Sequence, residues 1–160
     1  MEDQREALLR QIWAAQDEAY DLMYEYDSLP HQYGENTLYQ SEAQIIDLIG
    51  EHPEITVTEL AAILKKTPSA CSQIVRKLRA KGWVEQVRNP ENNRIFNLYL
   101  TDSGQRVYQD HTSFNRSCQE ATFRLLDTFS TQELEHHLMV QRKLNEAYQE
   151  DVQHSKEHNL

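Results

Sequence analysis

Three signals between Thr56 and Gly82 constrain the fold of this chain more than any other feature. Thr56 and Glu59 form an S/T-x-x-E capping box ahead of Leu60, Ala61 and Leu64, which predicts a short helix. Thr67 followed by Pro68 is an N-cap with proline at the first helical position, where its missing N–H costs nothing. Gly82 stands where a helix over about Pro68–Lys81 needs a residue that tolerates positive φ. Two short helices joined by Lys65, Lys66 and Thr67 make a helix-turn-helix.

After Gly82 the pattern changes to WVEQVR, then NPENN, then RIFNLYL. β-branched and aromatic residues flanking turn chemistry predict a two-stranded hairpin over 83–100, a wing. With only four Gly and four Pro in 160 residues, the remainder reads as long helices. Residues 4–29 place Leu8, Ile12, Trp13, Tyr20, Met23 and Tyr26 largely at helical spacing and stop at Pro30. The segment Leu29–Tyr39 has no period and reads as a loop or short irregular turn, and Ser41 with Gln44 opens a helix carrying Ile45, Ile46 and Ile49. Thr101 caps a long helix to about Leu126, Ser130 with Glu133 boxes a last helix to about Glu150, and 151–160 reads as a disordered tail. The fold class expected is mainly α (α+β): a winged helix-turn-helix over 41–101, flanked by long dimerisation helices over 1–40 and 102–150, all in one domain.

Charge singles out the same segment. Lys65–Arg106 holds nine basic and three acidic residues, a balance of +6, while the rest of the chain carries −16. Phosphate neutralisation is local and needs one concentrated basic face, so the asymmetry matters more than the net −10. In the helix after Pro68, Cys71, Ile74, Val75 and Leu78 define the buried stripe. Ser69, Gln73, Arg76 and Ala80 fall opposite, with Ala70, Ser72 and Lys77 at the flanks. Gln pairs with adenine and Arg with guanine in bidentate fashion, which makes Gln73 and Arg76 the candidate base readers. Thr67 and Ser69, at the positive helix N-terminus, suit a phosphate. Arg88 and Arg94 flank the NPENN turn at a protruding tip of a size for a minor groove; the bland reading of Arg88 is an ion pair to Glu85 or Glu91.

Other classes find little support. No apolar run is long enough to span a bilayer, and MEDQREALLR lacks the regions of a secretory signal, so a soluble cytoplasmic protein without membrane contact is expected. Cys71 and Cys118 have no metal-ligand spacing, and Cys71 reads as core. No nucleophile elbow, phosphate loop or HExxH motif is present, so neither catalysis nor a cofactor is expected. The alternatives are a winged helix that binds protein and never DNA, and a small-molecule or metal sensor of another regulatory mode.

The segment Leu60–Gly104 resembles the core of the MarR family of bacterial transcriptional regulators. The resemblance rests on Leu60-Ala61, Pro68-Ser69, Leu78, Lys81-Gly82, Val84, Asn92-x-Arg94 and Leu100-Thr101-x-x-Gly104. It implies a homodimer that binds double-stranded DNA at a pseudo-palindromic operator, as a repressor. Two departures stand out: Asn92 replaces the family's wing aspartate, and Lys65-Lys66 replace a glycine and an aliphatic residue in the turn.

The resemblance also implies release of DNA by a small-molecule effector, and places Tyr20, Tyr24, Tyr39, His111 and Phe114 as the lining of its pocket. The phrase Asp110-His111-x-x-Phe114-Asn115 is similar to a region that supplies metal ligands in zinc-sensing relatives. Gln44 and Asn115 stand where those relatives carry histidines, so no comparable zinc site is expected.

Overall fold

The computed structural model describes residues 2–158; Met1, Asn159 and Leu160 lie outside the described residues. The chain runs α1 (Glu2–Ser28), β1 (Pro30–Tyr33), β2 (Asn36–Tyr39), α2 (Gln40–Glu51), α3 (Val57–Leu64), α4 (Pro68–Ala80), β3 (Val84–Arg88), β4 (Phe96–Leu100), α5 (Asp102–Leu126) and α6 (Thr131–His158). Each of the two pairs of consecutive strands is an antiparallel hairpin. The expected winged helix-turn-helix is present, with α2, α3 and α4 followed by the wing β3–β4.

Both helix boundaries of the helix-turn-helix follow from local chemistry. The Thr56 hydroxyl accepts the Glu59 N–H at 3.2 Å, and the Glu59 carboxylate accepts the Thr56 N–H at 2.8 Å, closing the capping box. At the other end of α3, Lys65 adopts φ 52°, and Lys66 and Lys65 donate their N–H groups to Ala61 and Ala62. That is a Schellman ending with lysine in the left-handed position that usually goes to glycine. Helix α4 ends the same way: Gly82 takes φ 75°, its N–H bonds the Arg79 carbonyl, and the Trp83 N–H bonds Leu78.

The core sits within 33–111. Ile45, Ile46, Ile49, Leu60, Cys71, Val75, Leu78, Val84, Leu98 and Val107 are buried together, so α2, α3, α4, the wing base and the start of α5 share one interior. Ile74, expected in the stripe of α4, is only half-buried at its margin. Cys71 is in the core as expected, and burial pushes its thiol up. The α2–α3 connection is stitched to the wing: Glu54 donates to the Leu98 carbonyl and Leu98 donates to that of Ile55.

Three expectations are corrected. The segment taken as a loop is the hairpin β1–β2, turning on Gly34-Glu35 with Gly34 at φ 57°, the signature of a type II′ turn. Its strands have only four residues each, too short for a periodic signal, yet they bury Tyr33 and Leu38. The N-cap of α2 is Tyr39 rather than Ser41; Glu42, at the third helical position, accepts the Tyr39 N–H at 3.0 Å. Helix α6 continues to His158, so residues 151–158 are helical rather than a disordered tail; 159–160 lie outside the described residues.

The chain divides into two compact units, 1–115 and 116–160. In the first, α1 leaves Leu8, Leu9, Trp13, Tyr20, Leu22 and Met23 exposed. In the second, Phe123, Leu126, Leu134, Leu138 and Met139 are exposed, and α6 buries none of its described residues.

Thr101 and Gly104 join the wing to α5. The Thr101 hydroxyl donates to the Gly82 carbonyl at 2.7 Å and accepts the Gly104 N–H at 3.0 Å, while the Thr101 N–H bonds the Trp83 carbonyl. A Cβ on Gly104 would clash with the Trp83 carbonyl oxygen, backbone that cannot yield cheaply. Gly104→Ala is therefore expected to destabilise the chain by about 1–3 kcal/mol, an overpacking cost readable by denaturant unfolding.

The cap of α3 gives a pH-dependent expectation. Hydrogen bonds from the Thr56 backbone and then its hydroxyl hold the Glu59 carboxyl below its ordinary range. The ionised form thus stabilises the fold above the unfolded-state pKa, and this contribution is lost as pH falls through the depressed folded value. Glu59→Gln keeps the geometry of the box, so the stability gap between wild type and variant is expected near neutrality and should vanish in acid.

Candidate nucleic-acid interface

Helix α4 is presented as its periodicity predicts. Cys71, Val75 and Leu78 anchor it in the core, while Thr67, Ser69, Gln73, Arg76 and Lys77 are exposed and Ala70 and Ser72 half-buried. The Thr67 hydroxyl accepts the Ala70 N–H at 3.2 Å. Pro68 has no N–H, and Thr67 takes those of Ala70 and Cys71, which leaves the Ser69 N–H as the donor at the positive end of the helix.

The cations divide by what they touch. Lys81 bonds Glu42 at 3.0 Å and lies 4.7 Å from the centre of the Trp83 ring, so it fastens the end of α4 to α2. Arg79 donates to the Gln86 side chain at 2.9 Å and braces α4 against β3. Arg106 bonds Ser103. Among the described residues, Arg76, Lys77 and Arg94 have no side-chain hydrogen bond or ion pair to protein. The bracing roles of Lys81 and Arg79 escape sequence reasoning because their partners are 39 and seven residues away and carry no local signal.

The wing pairs Val84 with Leu100 and Arg88 with Phe96, leaving 89–95 as its tip. Arg88 lies 5.5 Å from the centre of the Phe96 ring, and among the described residues it forms no ion pair with Glu85 or Glu91. Asn89, a residue of the NPENN turn with no sequence signal of its own, organises the tip: its Oδ1 accepts the N–H groups of Glu91 and Asn92 at 2.9 and 3.0 Å. Asn92 in turn accepts the Arg94 N–H at 3.1 Å. The amide at 92 thus does for the Arg94 backbone what a carboxylate would, without an ionic partner for the guanidinium.

Of the residues expected to line an effector pocket, His111 and Phe114 meet at Tyr33, while Tyr20, Tyr24 and Tyr39 are exposed. His111 is buried, with its Nδ1 2.7 Å from Asp47 Oδ1, and Tyr33 packs edge-on against His111 and Phe114 at 4.7 and 5.1 Å between ring centres. Tyr20 and Tyr24 stack on each other and stay exposed, as does Tyr39. Cavities of about 670 and 420 Å³ flank the wing instead, and none of the five residues lines either. Tyr33 is the missed partner, hidden because its segment carried no period.

A helix held by its core stripe, with a polar cationic face outward and a basic two-stranded tip beside it, defines a winged helix-turn-helix protein. A sequence model of the MarR family matches residues 38–95. The uncharacterised HTH-type transcriptional regulator YpoP of Bacillus subtilis (strain 168) is 30% identical over 97 residues, 61% of this chain and 67% of the relative. The HTH-type transcriptional regulator PchR of the same organism is 26% identical over 89 residues, 56% of this chain and 53% of that protein. The chain belongs to the MarR family.

Solved structures carry the same fold. The zinc-responsive MarR family member ZitR of Lactococcus lactis superposes with a TM-score of 0.76 at 17% identity, covering 88% of this chain and 99% of that one. FabT of Streptococcus pneumoniae in complex with DNA gives 0.67 at 23% identity, covering 88% and 95%.

The wing tip yields a direct test. Asn92→Asp keeps an acceptor for the Arg94 N–H and should leave its hydrogen exchange unchanged. Asn92→Ala removes a bond worth about 1 kcal/mol and should speed that exchange about fivefold.

Proposed function

We propose that this chain acts as a homodimeric, ligand-responsive repressor that reads a pseudo-palindromic operator through helix 68–81 and wing 83–100. Membership in the MarR family makes it a DNA-binding transcriptional regulator; the residue roles rest on the geometry. The observation that carries them is the division of cations, with Arg79 and Lys81 spent on bracing while Arg76, Lys77 and Arg94 face outward. Gln73 and Arg76 suit base edges in a major groove, with Ala70 and Ser72 at the groove walls. Thr67, Ser69 and Lys77 suit the phosphate backbone, and Arg88 and Arg94 the adjacent minor groove. FabT and ZitR are solved in complex with DNA, which supports the same use of this fold here.

The homodimer is supported by the apolar side chains that α1 and α6 leave in solvent, since a self-complementary interface is the commonest cover for such faces. A regulator of this kind needs no catalytic centre and operates on DNA in the cytoplasm. The described helices include none long and apolar enough to cross a membrane. The effector is a small molecule.

DNA retention should fall steeply with salt. Arg76→Ala is expected to cost about 1–3 kcal/mol and relax preference at one operator position. Arg94→Ala should weaken all sequences alike and reduce the salt slope by about one. Unchanged binding in both variants at low salt, measured by fluorescence anisotropy with genomic fragments, rejects these roles. Leu134→Glu with Leu138→Glu should convert a dimer to a folded monomer in sedimentation equilibrium; a persisting dimer removes α6 from the interface.

A further inference from the structure

The groove between α3 and the wing is built differently from the outward face of α4 and the wing tip. It is an open groove of about 670 Å³, a volume within the range of small-molecule sites. Its apolar wall is Ile55, Ala62, Ile63 and Ile95, of which Ile63 is half exposed. Glu54 and Glu59 stand at its edge. The Glu59 carboxyl is held ionised by the Thr56 N–H and hydroxyl on one oxygen, which leaves Oε1 toward solvent. Glu54 is set by two contacts: its N–H bonds Leu98, and Tyr99 donates to its Oε1 at 3.1 Å. Its backbone adopts φ 77°, a conformation unfavourable for a side chain with a Cβ and held by those bonds.

The innermost polar group is Asn97, 94% buried and lining the groove. Its orientation follows from its neighbours. Asn89 Oδ1 is occupied by the N–H groups of Glu91 and Asn92, so the amide nitrogen of Asn89 faces Asn97 and donates to its Oδ1 at 3.3 Å. The Asn97 Nδ2 is left with no protein acceptor among the described residues. That donor is left to the solvent of the open groove, and a bound acceptor takes the place of water there.

We propose that this groove binds a small amphipathic organic cation carrying a hydrogen-bond acceptor at the end opposite its charge. The apolar body lies on the isoleucines, the cationic end meets Glu54 and Glu59, and the acceptor takes the Asn97 Nδ2 proton. An organic anion is repelled by the same rim. The site stands independently of the DNA-binding reading, because its test contains no DNA.

The test is an NMR titration of the full chain at mildly alkaline pH with three probes. These are tyramine, 4-hydroxyphenylacetate, which reverses the charge, and phenethylamine, which lacks the hydroxyl acceptor. Wild type should bind tyramine about tenfold more tightly than 4-hydroxyphenylacetate, equivalent to about 1.4 kcal/mol. It should bind phenethylamine more weakly than tyramine, with shifts centred on Ile63, Ile95 and Asn97. Glu54→Gln with Glu59→Gln keeps an acceptor for Tyr99 and completes the α3 cap, and should bring tyramine and 4-hydroxyphenylacetate to within about twofold. Equal affinity of wild type for tyramine and the anion, no saturable binding, or shifts centred elsewhere overturns the proposal. Because the probe comparison is made on wild type, it decides even if the double variant fails to fold.

Discussion

The winged helix depends on one junction, where Gly82 and Trp83 meet Thr101 and Gly104. Gly82 turns the chain out of α4 at positive φ, and the Thr101 hydroxyl bonds its carbonyl while capping the next helix. Gly104 lets α5 approach the Trp83 carbonyl to a distance that no side chain permits. The Lys81-Gly82 and Leu100-Thr101-x-x-Gly104 motifs are thus the two halves of one contact. The whole wing lies between them, so fixing this point fixes where β3 begins, where β4 ends and where α5 departs. Lys81, bonded to Glu42, carries the same constraint to α2.

With the junction set, the electrostatics become directional. The basic residues of 65–106 divide into braces and free cations: Arg76 and Lys77 lie on the outward side of α4, Arg94 at the wing tip, and Lys65 and Lys66 in the turn between α3 and α4. The −16 carried by the rest of the chain lies on other segments and disfavours a polyanion there. The groove behind the wing shows the same logic reversed: Glu54 and Glu59 edge an apolar wall of Ile55, Ala62, Ile63 and Ile95, on elements that carry no lysine or arginine into it.

The long helices obey a different economy. α1 and α6 have helix-forming sequences and apolar side chains at helical spacing, yet most of those side chains remain in solvent. Helix formation is local and tolerates this; the apolar faces need a partner surface.

Much of the fold was legible because it is written in short-range chemistry. The Thr56–Glu59 box, the Thr67-Pro68 start, Gly82, the wing hairpin and the caps of α5 and α6 all act within a few residues, and each lies where the sequence put it. The exposure of Gln73, Arg76 and Lys77 followed from the 3.6-residue period, since the stripe of Cys71, Val75 and Leu78 must turn inward. Lys65 adopts the left-handed turn despite carrying a side chain, because the Schellman bonds to Ala61 and Ala62 hold it there.

What only the tertiary structure decided involves partners distant along the chain. The β1–β2 hairpin exists because Tyr33 and Leu38 find the core, and Tyr33 then packs edge-on against His111 and Phe114. Helix α6 outlasts its expected end because nothing in 151–158 breaks it, although composition alone favoured disorder. Which cations are free, which carboxylates edge a groove and which amide is left without an acceptor all depend on contacts between segments. The sequence determined the order of elements and the face each turns inward, since periodicity and capping are local. The tertiary structure decided how the outward side chains are used, because their energies depend on neighbours brought together only by folding.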